Sequence, residues 1–218
     1  MKRMPAFLLS VLLLLGSMPA LAEEQSFYYP YTHPSLGYSL VYPAGFLVLD
    51  EQTMPLMLEM MKPAGAETQE YLQLEALNAE IAQSGMAIFS DAYGRVNVNV
   101  IVREWGVPVS EALIEVGISA TLPALIAELE ENYKNVVLLD QGSVFQFGEN
   151  RYCRIAISCE ADGLPANCGQ FILLEPSAMY IITYTQHASL DAETIAALDG
   201  MVSNMLIYFT PAPIPKQQ

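Results

Sequence analysis

Two short aromatic runs separated by turn-forming residues open the patterned part of the chain. Residues 27–31 and 38–42 are rich in Tyr, Phe and Leu, and the sequence HPSLG joins them at 33–37. Runs of this kind bounded by Gly, Pro and Ser predict a β-hairpin. We expect His33, which precedes Pro34 in the turn, to face solvent.

Apolar residues at helical spacing occupy the next stretch. Residues 54–61 predict a short helix with Pro55 in its first turn, where proline is tolerated. Residues 67–83 predict a second helix, on which three apolar residues form one stripe: Leu74, Leu77 and Ile81.

Alternation of apolar and polar residues then predicts a second hairpin. Residues 95–104 alternate valine with polar side chains, which is the period of a half-buried strand. Residues 86–90 are the partner strand, and the turn between the two is Asp91-Ala92-Tyr93-Gly94.

The second half of the chain is predicted to hold a helical region, several strands and a closing helix. Ser110 is a candidate helix cap, and helical spacing follows at Leu122, Leu125, Ile126, Leu129 and Tyr133. The strand-like segments are 136–139, 143–147, 151–160, 168–174 and 179–186. The last helix begins near Ser189, and we expect either Ser189 or Asp191 to supply its cap.

This order of elements predicts an α+β fold. Strands joined by hairpins pair antiparallel, and amphipathic helices must cover the apolar faces of the resulting sheet. We therefore expect one domain, residues 23–210, with a mostly antiparallel central sheet of at least five strands sandwiched by helices. Residues 211–218 are predicted to form a flexible tail that contains proline.

The first 22 residues have the pattern of an export signal. Lys2 and Arg3 precede an apolar run at 6–16, and Ala20-Leu21-Ala22 offers small residues for cleavage. The run is shorter than the about 20 residues that span a bilayer, so we expect removal of 1–22 and no stable transmembrane anchor. The mature protein is predicted to be secreted or periplasmic.

Composition and charge narrow the class of protein further. The 218 residues are 53% hydrophobic and carry a net charge of −15, which excludes a disordered polymer and disfavours a nucleic-acid binder. Loss of Lys2 and Arg3 leaves seven basic and 24 acidic residues, a charge of −17. Two interpretations of this charge are open: it keeps the protein soluble, or it attracts Ca²⁺ or a basic partner. The acidic residues are scattered along the sequence and do not have the spacing of a calcium-binding loop.

One segment carries a family resemblance. Residues 37–46, GYSLVYPAGF, resemble the start of PsbP-like domains, and the strand 179–186 followed by a final amphipathic helix resembles their end. The superfamily includes an extrinsic photosystem subunit, a Ran-binding import factor and exported bacterial proteins of unknown role. The resemblance implies a binding or assembly module. This chain departs from the pattern in an extra acidic helical stretch at 53–83 and in lacking a plant-type targeting segment.

Three cysteines are an odd number for an exported chain. A hairpin loop at 160–167 would place Cys159 opposite Cys168, and a bridge there would contribute about 2.7 kcal/mol. Directly opposed residues are slightly too far apart for a disulfide, so the strands would have to draw together. Cys153 is predicted to stay free, as a small buried apolar residue opposite Leu174.

Catalytic and metal-binding motifs are absent from the sequence. It contains no G-x-S-x-G elbow, H-E-x-x-H helix, phosphate-binding glycine loop or C-x-x-C pair, and it has only two histidines. His187, Ser189 and Asp191 are too close in sequence to form a triad, and a helix cap accounts for them. We predict no cofactor and no metal.

Aromatic residues are the remaining candidates for recognition. Tyr28, Tyr29 and Tyr31 lie on the first strand, and Trp105 marks the end of a later strand. Tyrosine binds partners with little loss of entropy, although alternation sends part of the group into the core. The favoured function is a non-enzymatic binding or assembly module with an unknown protein or small-molecule partner. The alternative is an exported hydrolase or metal-dependent enzyme whose site is assembled from distant residues.

Overall fold

A computed structural model describes residues 27–62, 68–104, 120, 122–124, 126, 127, 129–131, 133–161 and 163–212. The predicted signal segment 1–22, Trp105, the Ser110 cap and most of the predicted tail lie outside these residues. Among the described residues, no helix is long and apolar enough to cross a bilayer.

Seven strands form the central sheet, and all of its neighbouring strands are antiparallel. Its spatial order is β3-β4-β5-β9-β8-β7-β6, and a separate two-stranded sheet pairs β1 with β2. The strands are β1 Tyr28–Thr32, β2 Ser39–Pro43, β3 Phe46–Leu49, β4 Ala87–Asp91, β5 Val96–Glu104, β6 Lys134–Phe147, β7 Asn150–Ala161, β8 Leu164–Leu174 and β9 Ala178–His187. The α+β fold with a mostly antiparallel sheet is therefore confirmed.

The domain has three helices with printed bounds, and the second is capped at both ends. Helix α1 spans Thr53–Met61, α2 spans Gln69–Ser84 and α3 spans Ala192–Ile207. The side chain of Thr68 accepts from the amide of Tyr71 at the start of α2, and Gly85 ends α2 in the left-handed conformation, with φ 63°. A further helical segment includes Leu122, Ile126 and Leu129.

Two faces of the sheet carry separate cores. On one face, the β1–β2 hairpin and α3 cover a cluster that includes Tyr38, Phe89, Tyr180 and Leu206. On the other face, α1 and α2 cover one cluster and the helical segment around Leu129 covers a second. These two clusters share a face because Ile101 of the first and Ile181 of the second lie opposite each other across β5 and β9.

Strand β6 differs from its prediction. The segments 136–139 and 143–147 are parts of one strand of 14 residues, which pairs with β7 through three register shifts. Each shift inserts an extra residue into β6. Asp140, Gln141 and Gly142 separate the two apolar runs in the sequence, which is why one strand is predicted as two segments. β6 is an edge strand, the position where such bulges are most frequent.

Candidate binding site: the aromatic hairpin

The three predicted recognition tyrosines of β1 have different environments. The Tyr28 hydroxyl accepts a hydrogen bond from Asn204 Nδ2 of α3 at 2.7 Å. The Tyr31 ring packs edge-on against Phe89, with 5.1 Å between ring centroids. Tyr29 alone projects to solvent, with 52% of its surface exposed. Two of the three tyrosines therefore attach the hairpin to the domain, and one is free for recognition.

Two exposed aromatic side chains at the start of the hairpin, Phe27 and Tyr29, are backed by the half-buried ring of Tyr42. Phe27 precedes β1 and is 58% exposed, although its carbonyl accepts a 2.7 Å hydrogen bond from the amide of Ala44. Tyr42 lies opposite Tyr29 on β2, with the ring centroids 6.0 Å apart. We call Phe27, Tyr29 and Tyr42 the aromatic rim. The hairpin already fixes the backbone of these residues, so binding a partner does not cost backbone conformational entropy.

A buried carboxylate holds the hairpin in place. Asp50 follows β3 and is only 4% exposed. Its Oδ2 accepts from the Tyr31 hydroxyl at 3.0 Å, and its Oδ1 accepts from the amides of Gln52 at 3.0 Å and Thr53 at 2.8 Å. Burial alone would raise the pKa of Asp50, but these bonds outweigh it and hold the pKa below its ordinary 3.8. Asp50 thereby joins the hairpin on one face of the sheet to α1 on the other.

His33 does not face solvent, and that prediction is wrong. The side chain is 1% exposed, and its ring centroid lies 5.0 Å from that of Tyr38. Nδ1 accepts from the amides of Leu36 at 3.1 Å and Ser35 at 3.3 Å. The imidazole therefore replaces water as the acceptor for the turn amides, which is why a polar turn residue is buried.

Acid should destabilise the protein through His33. Burial lowers the pKa of His33 from its ordinary 6.5, although the nearby carboxylates of Glu51 and Asp50 oppose the shift. The unfolded chain therefore takes up the proton first, so the contribution to stability is full above pH 6.5 and is lost as the pH falls through the folded pKa. Protonation also removes the acceptor at Nδ1.

Urea unfolding at pH 7.5, 6.5, 5.5 and 5.0 measures this effect. The unfolding free energy of the wild-type protein should decrease as the pH falls over this range. We expect this decrease to be smaller in His33→Gln. His187→Gln, a change at the other histidine, serves as the matched control and should leave the loss in place. An unaltered slope in His33→Gln would contradict the assignment.

The cysteines occupy the predicted hairpin in a different register. Cys159 faces Ala166 and Cys168 faces Ile157, so the predicted opposition of the two cysteines is wrong by two residues. Cys153 faces Ile172 rather than Leu174. The predicted turn was centred one residue too late, because the strands already pair at Ala161 and Leu164. No disulfide is formed, and all three cysteines are free and buried.

The sulfurs of the diagonal pair nevertheless lie close together. The Sγ atoms of Cys159 and Cys168 are 3.6 Å apart, and Cys168 Sγ is also 3.6 Å from Thr185 Oγ1. Hydrogen bonding with Cys159, and then with Thr185 and Tyr133, lowers the pKa of Cys168 against the effect of burial. The same hydrogen bond raises the pKa of Cys159, and burial adds to that shift. The geometry defines a buried pair of thiols within hydrogen-bond distance of each other.

Of the three residues that suggested hydrolase chemistry, Asp191 caps α3 and His187 ends β9. Asp191 Oδ1 accepts from the amide of Thr194 at 2.9 Å, and Oδ2 accepts from its hydroxyl at 2.7 Å. These bonds confirm that Asp191 is a helix cap, and they hold its pKa below the ordinary value. Within the described ranges, no three or more His, Cys, Asp or Glu residues are grouped so as to hold a metal ion.

Asp50 and His33 are the site residues that the sequence analysis missed. Asp50 stands three residues before Thr53, a spacing typical of a carboxylate that caps a helix start. The sequence therefore contains a signal for the role of Asp50. It contains no signal for the burial of His33, because that burial depends on the packing of the hairpin against Phe89 and Tyr180.

Comparison with known proteins places the structure among proteins of one fold. No protein-family model matches the chain, and no curated protein matches its sequence. Among solved structures, a protein of Bacteroides thetaiotaomicron is similar with a TM-score of 0.50 and 8% identity, over 87% of this chain. This chain spans only 50% of the length of that protein.

Two further solved structures are similar over nearly their whole length. The cyanobacterial PsbP of Synechocystis has 12% identity and a TM-score of 0.46, over 89% of this chain and 98% of its own. LpqN of Mycobacterium tuberculosis, described as involved in cell envelope biogenesis, has 14% identity and a TM-score of 0.48, over 87% of this chain and 93% of its own. The likeness to these structures is one of fold, and identities this low show the fold alone.

Proposed function

We propose that this protein is an exported, non-enzymatic binding or assembly module of the cell envelope or exterior, and that the aromatic rim is its recognition surface. The observation that carries the proposal is the exposure of Phe27 and Tyr29, at 58% and 52%, on a hairpin whose other rings are built into the domain. Large rigid rings on a fixed backbone bind with little loss of entropy.

The position of the rim supports recognition of a protein or small-molecule partner. β1 has β2 as its strand partner, and within the described part of the chain no strand pairs with its other side. Strands with one free side accept extended peptides, and flanking aromatic rings supply pockets for their side chains. The acidic charge of the domain disfavours a nucleic acid as that partner.

Affinity capture from the cell envelope tests the proposal. The mature chain is used as bait in its wild-type form, as Phe27→Ser/Tyr29→Ser, and as the control Leu139→Ser, which removes an apolar residue with 60% exposure from the distant edge strand β6. We expect a partner that the wild type and the control retain and the rim variant loses by about tenfold or more. Equal capture by all three baits would contradict the proposal.

Export is the second part of the proposal. The signal pattern supports removal of residues 1–22, so the intact mass of the exported protein should correspond to a chain that begins at Glu23. An exported form that keeps Met1 would contradict this part without affecting the aromatic rim.

In an oxidising compartment we expect Cys159 and Cys168 to form a bridge. The two thiols reduce oxidised glutathione to two reduced glutathione molecules, and their sulfurs have to move from 3.6 Å to about 2.05 Å. Thiol titration in denaturant after this treatment should count one free thiol, that of Cys153, and none in Cys153→Ser. Three free thiols in the treated wild type would show that the pair stays reduced.

A further inference from the structure

Helix α1 exposes an apolar surface that nothing in the described structure covers. Seven of its nine residues are apolar, and four of these are methionine. Leu56 and Met60, one turn apart, are 60% and 81% exposed, and Met61 at the end of the helix is 44% exposed. Exposed apolar side chains grouped on one element are typical of a binding surface. We call Leu56, Met60 and Met61 the α1 apolar face.

The opposite side of α1 accounts for its attachment to the domain. Met54 is fully buried, and Met57 and Leu58 pack against a cluster that includes Leu77 and Ile81 of α2. Packing onto the sheet therefore requires the apolar residues of one side only. Leu56 and Met60 take no part in that core. Their grouping on the exposed side of α1 is typical of a surface that binds a partner.

The charge around this surface selects the chemistry of the partner. Residues 46–84 contain seven acidic residues and one basic residue, Lys62. Glu59 is exposed on α1 between Leu56 and Met60, and Glu75 is exposed on α2. This field repels anionic lipid and a second copy of the same acidic chain, and it attracts cations. Methionine side chains are flexible and polarizable, which suits them to packing against varied apolar side chains.

We propose that the α1 apolar face binds a basic amphipathic helix of a partner protein. The apolar side of the bound helix packs on Leu56, Met60 and Met61, and its Lys or Arg residues face the acids of α1 and α2. A nine-residue helix is about 13 Å long, so about two to three turns of the partner make contact. This surface is separate from the aromatic rim, and neither proposal depends on the other.

Titration with a synthetic probe tests the inference. The probe is a fluorescently labelled peptide of Leu and Lys with helical periodicity, and the controls are the same peptide with Glu for Lys and a scrambled Leu/Lys peptide. The protein is the mature chain, as wild type, as Leu56→Ser/Met60→Ser, and as the matched control Val137→Ser/Leu139→Ser on β6. We expect the first variant to bind the probe about tenfold more weakly and the second to bind like wild type.

The site of contact is read independently from methionine methyl NMR. The Met60 signal should shift during titration of the wild type, whereas the signal of buried Met54 should not. Binding of the Glu peptide or the scrambled peptide with equal affinity would overturn the inference, as would an unchanged affinity in Leu56→Ser/Met60→Ser. Self-association, or binding to anionic vesicles, that depends on Leu56 and Met60 would overturn it in favour of a second copy or a membrane.

Discussion

Replacement of Asp50 by alanine should lower the free energy of unfolding by about 2–4 kcal/mol, because it removes a helix cap and leaves buried donors without an acceptor. The lost acceptor serves the Tyr31 hydroxyl and the amides of Gln52 and Thr53, at distances of 2.8 to 3.0 Å. Water cannot replace it easily, since Asp50 is 4% exposed. Urea unfolding should show a lower midpoint with an unchanged slope.

Asp191→Ala is the matched control for this experiment. Asp191 also caps a helix, through the amide and hydroxyl of Thr194, but its bonds are exposed and water can take the place of the carboxylate. Asp191→Ala should therefore lower the free energy of unfolding clearly less than Asp50→Ala does. Tyr31→Phe removes a single hydrogen bond to Asp50, so its free energy of unfolding should lie between those of the wild type and Asp50→Ala. Equal effects of the two aspartate changes would contradict the role of Asp50 as the link between hairpin and helix.

Gly169→Ala should strongly destabilise the sheet by adding a single methyl group. Gly169 of β8 lies opposite Tyr184 of β9, and a Cβ at this position would contact the Tyr184 ring, with Cζ at 2.7 Å and Cδ1 at 3.0 Å. The ring cannot move freely, because it stacks on Phe171 at 5.9 Å between centroids and accepts a hydrogen bond from Arg154. Overpacking of this kind costs about 1–3 kcal/mol, and we expect the upper part of that range.

Gly200→Ala is the control: it makes the same chemical change, but the expected change in the free energy of unfolding has the opposite sign. Gly200 lies within α3, and nothing is within 4 Å of the Cβ that alanine would add. Alanine in a helix interior should stabilise the protein by about 0.5–1 kcal/mol. Thermal and urea unfolding of both variants measure the pair. A Gly169→Ala protein as stable as wild type would show that the β8–β9 packing is looser than described.

The sequence was sufficient to predict most of the fold because its patterns are local. The alternation in β5 and the stripe of α2 follow directly from the periods of strand and helix. The turn between β7 and β8 shows where local patterns fail. Either of two adjacent centres leaves the same residues apolar, and only the pairing of Ala161 with Leu164 decides that Cys159 faces Ala166.

The candidate site was less predictable, since it depends on contacts between distant segments. Alternation along β1 could not show that the Tyr28 hydroxyl bonds Asn204, which is 176 residues away in the sequence. Nor could it show that Tyr31 reaches Asp50 across the edge of the sheet. Tyr29 remained as the exposed tyrosine of β1 only after both contacts were known.

Photo-crosslinking at position 29 in the exporting cell tests the central claim most directly. A benzoyl-phenylalanine residue replaces Tyr29 in one protein and Leu139, the control on β6, in another. Recognition by the aromatic rim predicts a discrete higher-mass adduct from position 29 after irradiation and none from position 139. Adducts from position 139 alone, from both positions alike, or from neither would contradict the account.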